Sequence, residues 1–181
     1  MANRSKIGAK LLPLLGATVI LVAANAWPQS KMEIRTDAFA PGASIPGKYT
    51  CSGENISPPL AISGVPQSAK ALALIVDDPD APSGTFTHWV VYNLPPRTNH
   101  LEAGVKPGPT MPGGGTQGRN DFGGAGYGGP CPPPGSTHHY RFRLFALNGE
   151  ITPQSASGPE VEQAMRGHIL ASAEMVGTFG R

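Results

Sequence analysis

The sequence predicts a mainly β fold with a helix at the C-terminal end. Three observations support this class. The 181 residues include 24 glycines and 20 prolines, which are the poorest helix formers. The strongest apolar segments are short, alternating or β-branched, and turn residues close them. Hydrophobic residues make up 39% of the chain, which is enough for a folded core.

Four segments carry the strand pattern. Residues 31–36 are short and partly alternating, and residues 70–76 form an apolar run that ends in the turn Asp77-Asp78-Pro79. Residues 87–94 are β-branched and aromatic, and two prolines follow them. In residues 140–147 aromatic and aliphatic side chains alternate with two arginines, so the segment is expected to bury one face.

The pattern changes after residue 158 to helical spacing. Ser157 or Pro159 can open a helix there, and we expect it to run over residues 159–176. The side chains three or four positions apart that predict it are Val161, Met165, Ile169 and Leu170.

A stretch rich in glycine and proline separates the third and fourth strands. Residues 106–137 contain 7 prolines and 11 glycines, with aromatic and charged residues between them. A loop of this length in a small domain is usually functional or disordered. The aromatic and charged residues favour an ordered loop, whose glycines let the backbone approach a ligand and whose N–H groups can receive an anion.

The first 26 residues predict an export signal. Arg4, Lys6 and Lys10 precede an apolar run of 16 residues, and Ala24-Asn25-Ala26 provides a cleavage site. The alternative is an uncleaved membrane anchor, although the run is shorter than the roughly 20 residues of a transmembrane helix. We therefore expect residues 27–181 to form a single exported domain, either periplasmic or secreted.

The charge balance excludes a nucleic-acid binding surface of the usual kind. The whole chain has 14 basic and 12 acidic residues, but three of the basic residues belong to the export segment. The remaining 11 basic and 12 acidic residues give a net charge of −1, and no basic stripe is present.

Cys51 and Cys131 are the two cysteines of the chain. Export to an oxidising compartment favours a disulfide between them, and the alternative is two separate buried thiols. Neither belongs to a CxxC pair, so no zinc or redox motif is predicted. No nucleophile elbow or nucleotide-binding loop occurs either, and we expect no metal and no cofactor.

The polar residues that can carry chemistry stand at strand ends. Asp77, Asp78 and Asp80 crowd three carboxylates together, which is either an acidic turn or a set held by donors and cations. His88 lies at the start of a buried strand, where a lone histidine is more often a satisfied core residue. His138 and Tyr140 share one face of the last predicted strand, opposite His139.

These residues resemble the two signatures of the phosphatidylethanolamine-binding protein family. The first is residues 78–82 (Asp-Pro-Asp-Ala-Pro) with His88-Trp89, and the second is residues 126–135 (Gly-Tyr-Gly-Gly-Pro-Cys-Pro-Pro-Pro-Gly) with His138 and Tyr140. Residues 50–53, 57–60 and 120–123 are similar to its bacterial branch, called Raf-kinase-inhibitor-like. The likeness covers the chain from about Met32 to Arg181.

The resemblance implies a β-rich fold of antiparallel sheets with a C-terminal helix, and a small pocket for phosphate or a phospholipid headgroup. It places in that pocket Asp78, Asp80, Pro82, His88, the backbone at Cys131, Pro132, His138 and Tyr140. One departure is His139, because the family usually has arginine between the histidine and the tyrosine. Animal relatives restrain a kinase, but nothing in this sequence supports that role.

Three function classes follow from the sequence. The first is binding of a small anion or a phospholipid headgroup, because histidines, a tyrosine and loop amides donate hydrogen bonds and the histidines can carry charge. The second is a protein-interaction or inhibitor module with a protein partner. The third is a hydrolase in which an Asp–His pair acts as general base, although no activated serine or cysteine nucleophile is recognisable. Catalysis is not expected.

Overall fold

Eight strands and one α-helix make up the regular structure of residues 31–153 and 156–181, the part of the chain that the computed structural model describes. The predicted export segment lies outside these residues. The elements are β1 Glu33–Arg35, β2 Leu60–Ser63, β3 Ala71–Asp78, β4 Phe86–Leu94, β5 His100–Leu101, β6 Thr116–Gln117, β7 Thr137–Leu147, α1 Gly158–Met165 and β8 Ile169–Gly180. A single 3₁₀ turn, Gly47–Tyr49, follows β1 in the described chain.

The strands form two antiparallel sheets, as the family resemblance implies. The larger sheet has the order β6-β4-β3-β7-β8, and the smaller has the order β1-β2-β5. The central strand β3 pairs with both β4 and β7. Because both pairings are antiparallel, the C-terminal end of β3 lies beside the N-terminal ends of β4 and β7.

The core has two layers, one on each face of the larger sheet. On one face Leu72, Leu74 and Val76 of β3 pack in a cluster with the smaller sheet. On the other face the alternate β3 residues pack in a second cluster with Val161 and Met165 of α1. β3 is therefore buried along its whole length, and this explains its continuous apolar sequence.

The four predicted strands are present with shifted ends. β7 begins three residues earlier than predicted, and its aromatic and aliphatic side chains are buried as the alternation requires. β3 continues through Asp77 and Asp78, where the sequence predicts a turn. The strand can continue because both buried carboxylates meet basic side chains of β7.

The predicted helix over residues 159–176 is wrong in its C-terminal half. α1 ends at Met165, and Gly167, with φ of +79°, turns the chain into β8. β8 pairs with β7 along its length and buries Met175 and Phe179, so sheet pairing replaces the helical pattern. Ile169 and Leu170, whose spacing suggests a helix, are exposed at the start of the strand.

The loop of residues 106–137 is folded around Gln117. The side-chain amide of Gln117 donates to the carbonyls of Lys106 and Gly108, both at 2.9 Å, and its oxygen accepts from the indole of Trp89 at 2.8 Å. These contacts tie the first half of the loop to Trp89 of β4. In the described chain, no helix has the length and apolar character needed to cross a membrane.

Candidate functional site

A buried Asp–His pair lies where the end of β3 meets the start of β7. The Asp78 carboxylate and His138 Nδ1 are 2.7 Å apart, and both side chains are almost fully buried. A carboxylate can only accept, so Nδ1 carries the proton and Nε2 remains available for another partner. The second Asp78 oxygen accepts from the backbone N–H of Asp80 at 2.8 Å, which fixes the carboxylate.

His88 enters the same cluster from β4. Its Nδ1 lies 2.7 Å from the carbonyl oxygen of Gly128, and the N–H of Gly128 donates to the carbonyl of His88 at 2.9 Å. The carbonyl accepts, so here too Nε2 is left for a ligand. Burial lowers the pKa of His88, while the Gly128 carbonyl and the charge of Asp78 act in the opposite direction.

A bulge in β4 aims His88 at the site. In the pairing with β3, Trp89 is opposite Val76 and Thr87 is opposite Asp77, so His88 is the additional residue on β4. A bulge re-aims the side chain it carries. His88 thereby reaches the same side of the sheet as Tyr140, with the two rings 5.2 Å apart and nearly perpendicular.

The Tyr140 hydroxyl is the unsatisfied group of the cluster. It is buried, and no hydrogen bond of normal geometry is made to it within the described part of the chain, although the Asp78 carboxylate and the backbone at Cys131 lie near it. Burial raises the pKa of Tyr140, the negative charge of Asp78 adds to this, and the backbone at Cys131 has the opposite effect. The phenol therefore stays protonated and can donate to an acceptor.

Asp80 forms the exposed edge of the site with His139. One Asp80 oxygen accepts from the backbone N–H of His139 at 2.8 Å and lies 2.7 Å from its Nδ1. The His139 imidazole holds the pKa of the Asp80 carboxyl below its usual range. His139, the residue that departs from the family pattern, is thus the partner of the Asp80 carboxylate.

Asp77, the third acid of the cluster, belongs to the opposite face of the sheet. It is almost fully buried and binds Arg141 at 2.7 Å and Arg143, which also contacts Glu162 of α1. Strand alternation places Asp77 and Asp78 on opposite faces of the sheet. Asp77 therefore stabilises the packing of α1, while Asp78 belongs to the candidate site.

The other predicted site residues lie around this cluster. Cys131 is joined to Cys51 by a disulfide and is exposed, and its backbone lies by Tyr140. Pro132 is buried and its carbonyl accepts from Arg181 at 2.9 Å. Pro82 is exposed in the turn between β3 and β4, and its contact with a ligand stays a prediction.

Sequence reasoning misses three members of the site. Gly128 holds His88, and Phe86 and Phe122 surround the His88 ring at 5.1 and 5.5 Å between ring centroids. An aromatic residue inside a glycine-rich loop is the signal that could have identified Phe122. Nothing in the sequence marks the carbonyl of Gly128.

The cluster can donate to an acceptor once its imidazoles are charged. Because Nδ1 carries the proton of each neutral ring, Nε2 is an acceptor and becomes a donor only when the ring gains a second proton. Tyr140 offers its hydroxyl directly, and the glycine-rich loop passes close by. Among the described residues, no group of three or more histidine, cysteine, aspartate or glutamate side chains is arranged to hold a metal ion.

Comparison with known proteins identifies relatives of the whole described chain. The family model of phosphatidylethanolamine-binding proteins matches residues 35–180. A UPF0098 protein of Methanothermobacter thermautotrophicus is 50% identical over 151 residues, covering 83% of this chain and 99% of the relative.

Two solved structures share the fold. CT736 of Chlamydia trachomatis, described as a homologue of phosphatidylethanolamine-binding proteins, has a TM-score of 0.76 and 40% identity over 83% of this chain and 98% of that one. Escherichia coli YbcL, described as a member of the mammalian family, has a TM-score of 0.78 and 35% identity over 84% of this chain and 99% of that one.

Proposed function

Because the chain belongs to the phosphatidylethanolamine-binding protein family, we propose that it binds a small oxyanion, of the phosphate or phospholipid-headgroup type, at His88, His138 and Tyr140. The observation that carries the proposal is the pairing of two fixed imidazoles with a buried hydroxyl that has no well-aligned partner in the described chain. Buried polar groups are normally satisfied, so a hydroxyl without a well-aligned partner, on a ring that contacts His88, indicates a place for an acceptor.

The carboxylates have a separate part in this proposal. A phosphate oxygen would be repelled by Asp78 unless an intervening group carries positive charge, and His138 is that group. Asp78 orients His138 and balances its charge when the anion is present. Asp80, at the exposed edge, can also receive the ammonium of a phosphoethanolamine headgroup.

Hydrolysis is the second candidate, since a carboxylate that orients a buried histidine is also the arrangement of a general base. The two functions differ in turnover. Incubation with p-nitrophenyl phosphate should release no p-nitrophenol above the rate of a His138→Ala variant. Release that this variant abolishes would make the protein an enzyme.

Calorimetric titration tests the binding proposal directly. Inorganic phosphate and phosphoethanolamine should both bind, and His88→Ala should weaken binding by about ten- to a hundredfold because a charge-assisted hydrogen bond is lost. His100→Ala is the matched control, because His100 is exposed on β5 in the other sheet. Equal affinity of the wild type and His88→Ala would place the ligand elsewhere.

Binding should also depend on pH in a stated direction. Burial lowers the pKa of His88, so its positively charged form gains population only in acid, and the affinity should rise between pH 8 and pH 5.5. Sulfate is the clean probe, because its charge does not change over this range. Sulfate affinity that is flat with pH, or that falls in acid, would contradict charging of the imidazole.

A further inference from the structure

An exposed aromatic ring, Phe122, lies beside His88 of the proposed anion site. Phe122 is 55% exposed, the most exposed of the three large hydrophobic side chains that reach the surface of the described chain. The other two, Ile169 and Leu170, lie together at the start of β8. Exposed apolar surface of this kind is most informative when it lies beside a binding site.

The turn that carries Phe122 is held on both sides. Asp121 accepts from the N–H of Thr87 at 2.7 Å and donates its own N–H to the Thr87 carbonyl at 2.9 Å. The side-chain amide of Asn120 bonds to the carbonyl of Gly126 and to the N–H of Gly124. The backbone around Phe122 is therefore fixed to the start of β4 and to the glycine-rich loop.

The ring lies against the histidine proposed to bind the anion. Its centroid is 5.5 Å from that of His88 in an edge arrangement, and 4.8 Å from that of Phe86. It also occupies the space that a side chain on Gly128 would need, since a Cβ there would lie 2.4 Å from the Phe122 ring. Because Gly128 has no side chain, its carbonyl can bind His88 while the Phe122 ring packs against the same imidazole.

The different burial of these side chains limits which substituents a bound anion can carry. Tyr140, His88 and His138 are buried, whereas Phe122 is more than half exposed. An anion held by the buried donors must direct any substituent outward, where the exposed groups beside the donors are the Phe122 ring, in contact with His88, and the Asp80 carboxylate. An apolar substituent would meet the Phe122 ring instead of water.

We propose that Phe122 is a specificity-determining residue that selects a phosphomonoester with an apolar or aryl group next to the phosphoryl, over free inorganic phosphate. The inference rests on the proposed function of the same site. An aromatic contact of this kind adds about three- to tenfold to affinity. The alternative is that Phe122 only shields His88 from water, in which case it affects every anion equally.

The test compares three probes on the same variants. Phenyl phosphate, phosphoethanolamine and inorganic phosphate are titrated into the wild type, Phe122→Ala and Phe122→Leu, with Leu170→Ala as a control for loss of an exposed apolar side chain far from the site. Wild type should favour phenyl phosphate, Phe122→Ala should lose about three- to tenfold of that preference, and Phe122→Leu should lose part of it. Leu170→Ala should keep it all.

The outcomes separate this inference from the proposed function. If phosphate binding depends on His88 but the ratio of the two affinities is the same in wild type and Phe122→Ala, the role of Phe122 is overturned and the anion site stands. If phenyl phosphate binding is unchanged while phosphoethanolamine binding falls in Phe122→Ala, the ring contacts the ammonium group of the ligand, and the proposed selection of an apolar substituent is wrong. If neither phosphate binds the wild type, both proposals fail.

Discussion

His88 links burial to pH at the scale of one residue. Its ring is almost fully buried, its Nδ1 is bound to a backbone carbonyl, and burial lowers its pKa from 6.5. The neutral form is therefore the stable one in the folded, ligand-free protein at pH 7. An anion at Nε2 would favour the charged form, so binding and protonation are coupled.

The coupling predicts a pH-dependent stability. As the pH falls below about 6.5, the unfolded chain takes up a proton at His88 before the folded chain does, so the free energy of unfolding falls by up to about 1.4 kcal/mol per pH unit. The loss stops below the folded pKa. Thermal melts between pH 8 and pH 5 should show a weaker acid dependence in His88→Gln than in wild type.

Two controls make this measurement specific. His100→Gln, with its exposed side chain, should melt with the acid dependence of the wild type. Saturating sulfate should flatten the dependence of the wild type, because the bound anion favours charged His88. Identical slopes for wild type and His88→Gln would show that another group causes the acid sensitivity.

At the scale of an element, the end of β3 places two neighbouring acids in different environments. Asp77 and Asp78 are neighbours, both buried, and both partnered by β7. Because their side chains point to opposite faces, Asp77 joins the arginines beneath α1 and Asp78 joins the proposed anion site. Their isosteric substitutions should therefore fail in different assays.

Asp77→Asn should lower the free energy of unfolding by about 3 kcal/mol, the low end of the loss for a buried ion pair, because both arginines keep some solvent contact. It should leave sulfate affinity within twofold of the wild type. Asp78→Asn should instead weaken sulfate binding roughly tenfold, since asparagine carries no negative charge and has one acceptor oxygen for the two donors that Asp78 binds, His138 Nδ1 and the N–H of Asp80. Chemical denaturation and calorimetry on both variants check this, and an exchange of the two phenotypes would refute it.

The disulfide connects two elements that are distant in sequence. Cys51 and Cys131 are 80 positions apart, and the bridge holds the end of the glycine-rich loop next to residues 50–53. Closing a loop of this length stabilises the fold by about 4 kcal/mol in the chain-entropy model.

Replacing both cysteines with alanine should lower the melting temperature by about 10 °C, because each kcal/mol is about 2–4 °C in a domain of this size. The double variant avoids leaving a free thiol. Thiol titration of the unfolded, unreduced wild type should find no free thiol. Two reactive thiols in that titration would mean that the bridge is not formed in the native protein.

Export is a property of the whole molecule. The basic start, the apolar run and Ala24-Asn25-Ala26 predict removal of residues 1–26. N-terminal sequencing of the protein isolated from the cell that produces it should begin at Trp27. A protein that begins at Met1 in the cytoplasmic fraction would contradict export.

Sequence alone determines much of this molecule because its signals are local. Turn residues and period-two alternation predict the mainly β fold and the buried face of β7. The recognisable motifs also name Asp78, His88, His138 and Tyr140 in advance. The partners Asp78 and His138 stand 60 positions apart, and only a resemblance brings them together before the structure is known.

The tertiary structure decides what depends on pairing between distant segments. Residues 169–176 have helical spacing, yet they form a strand because β7 presents an unpaired edge along its full length. Simple alternation would place His88 and Trp89 on opposite faces of the sheet. The bulge in β4 against β3 brings His88 to the face that carries Trp89. Alternation places His139 on the opposite face of β7 from His138, as the sequence predicts. Its pairing with Asp80 forms because the β3–β4 turn approaches β7, which the sequence pattern does not show. In each case the competing energies come from a neighbouring strand, which no local pattern contains.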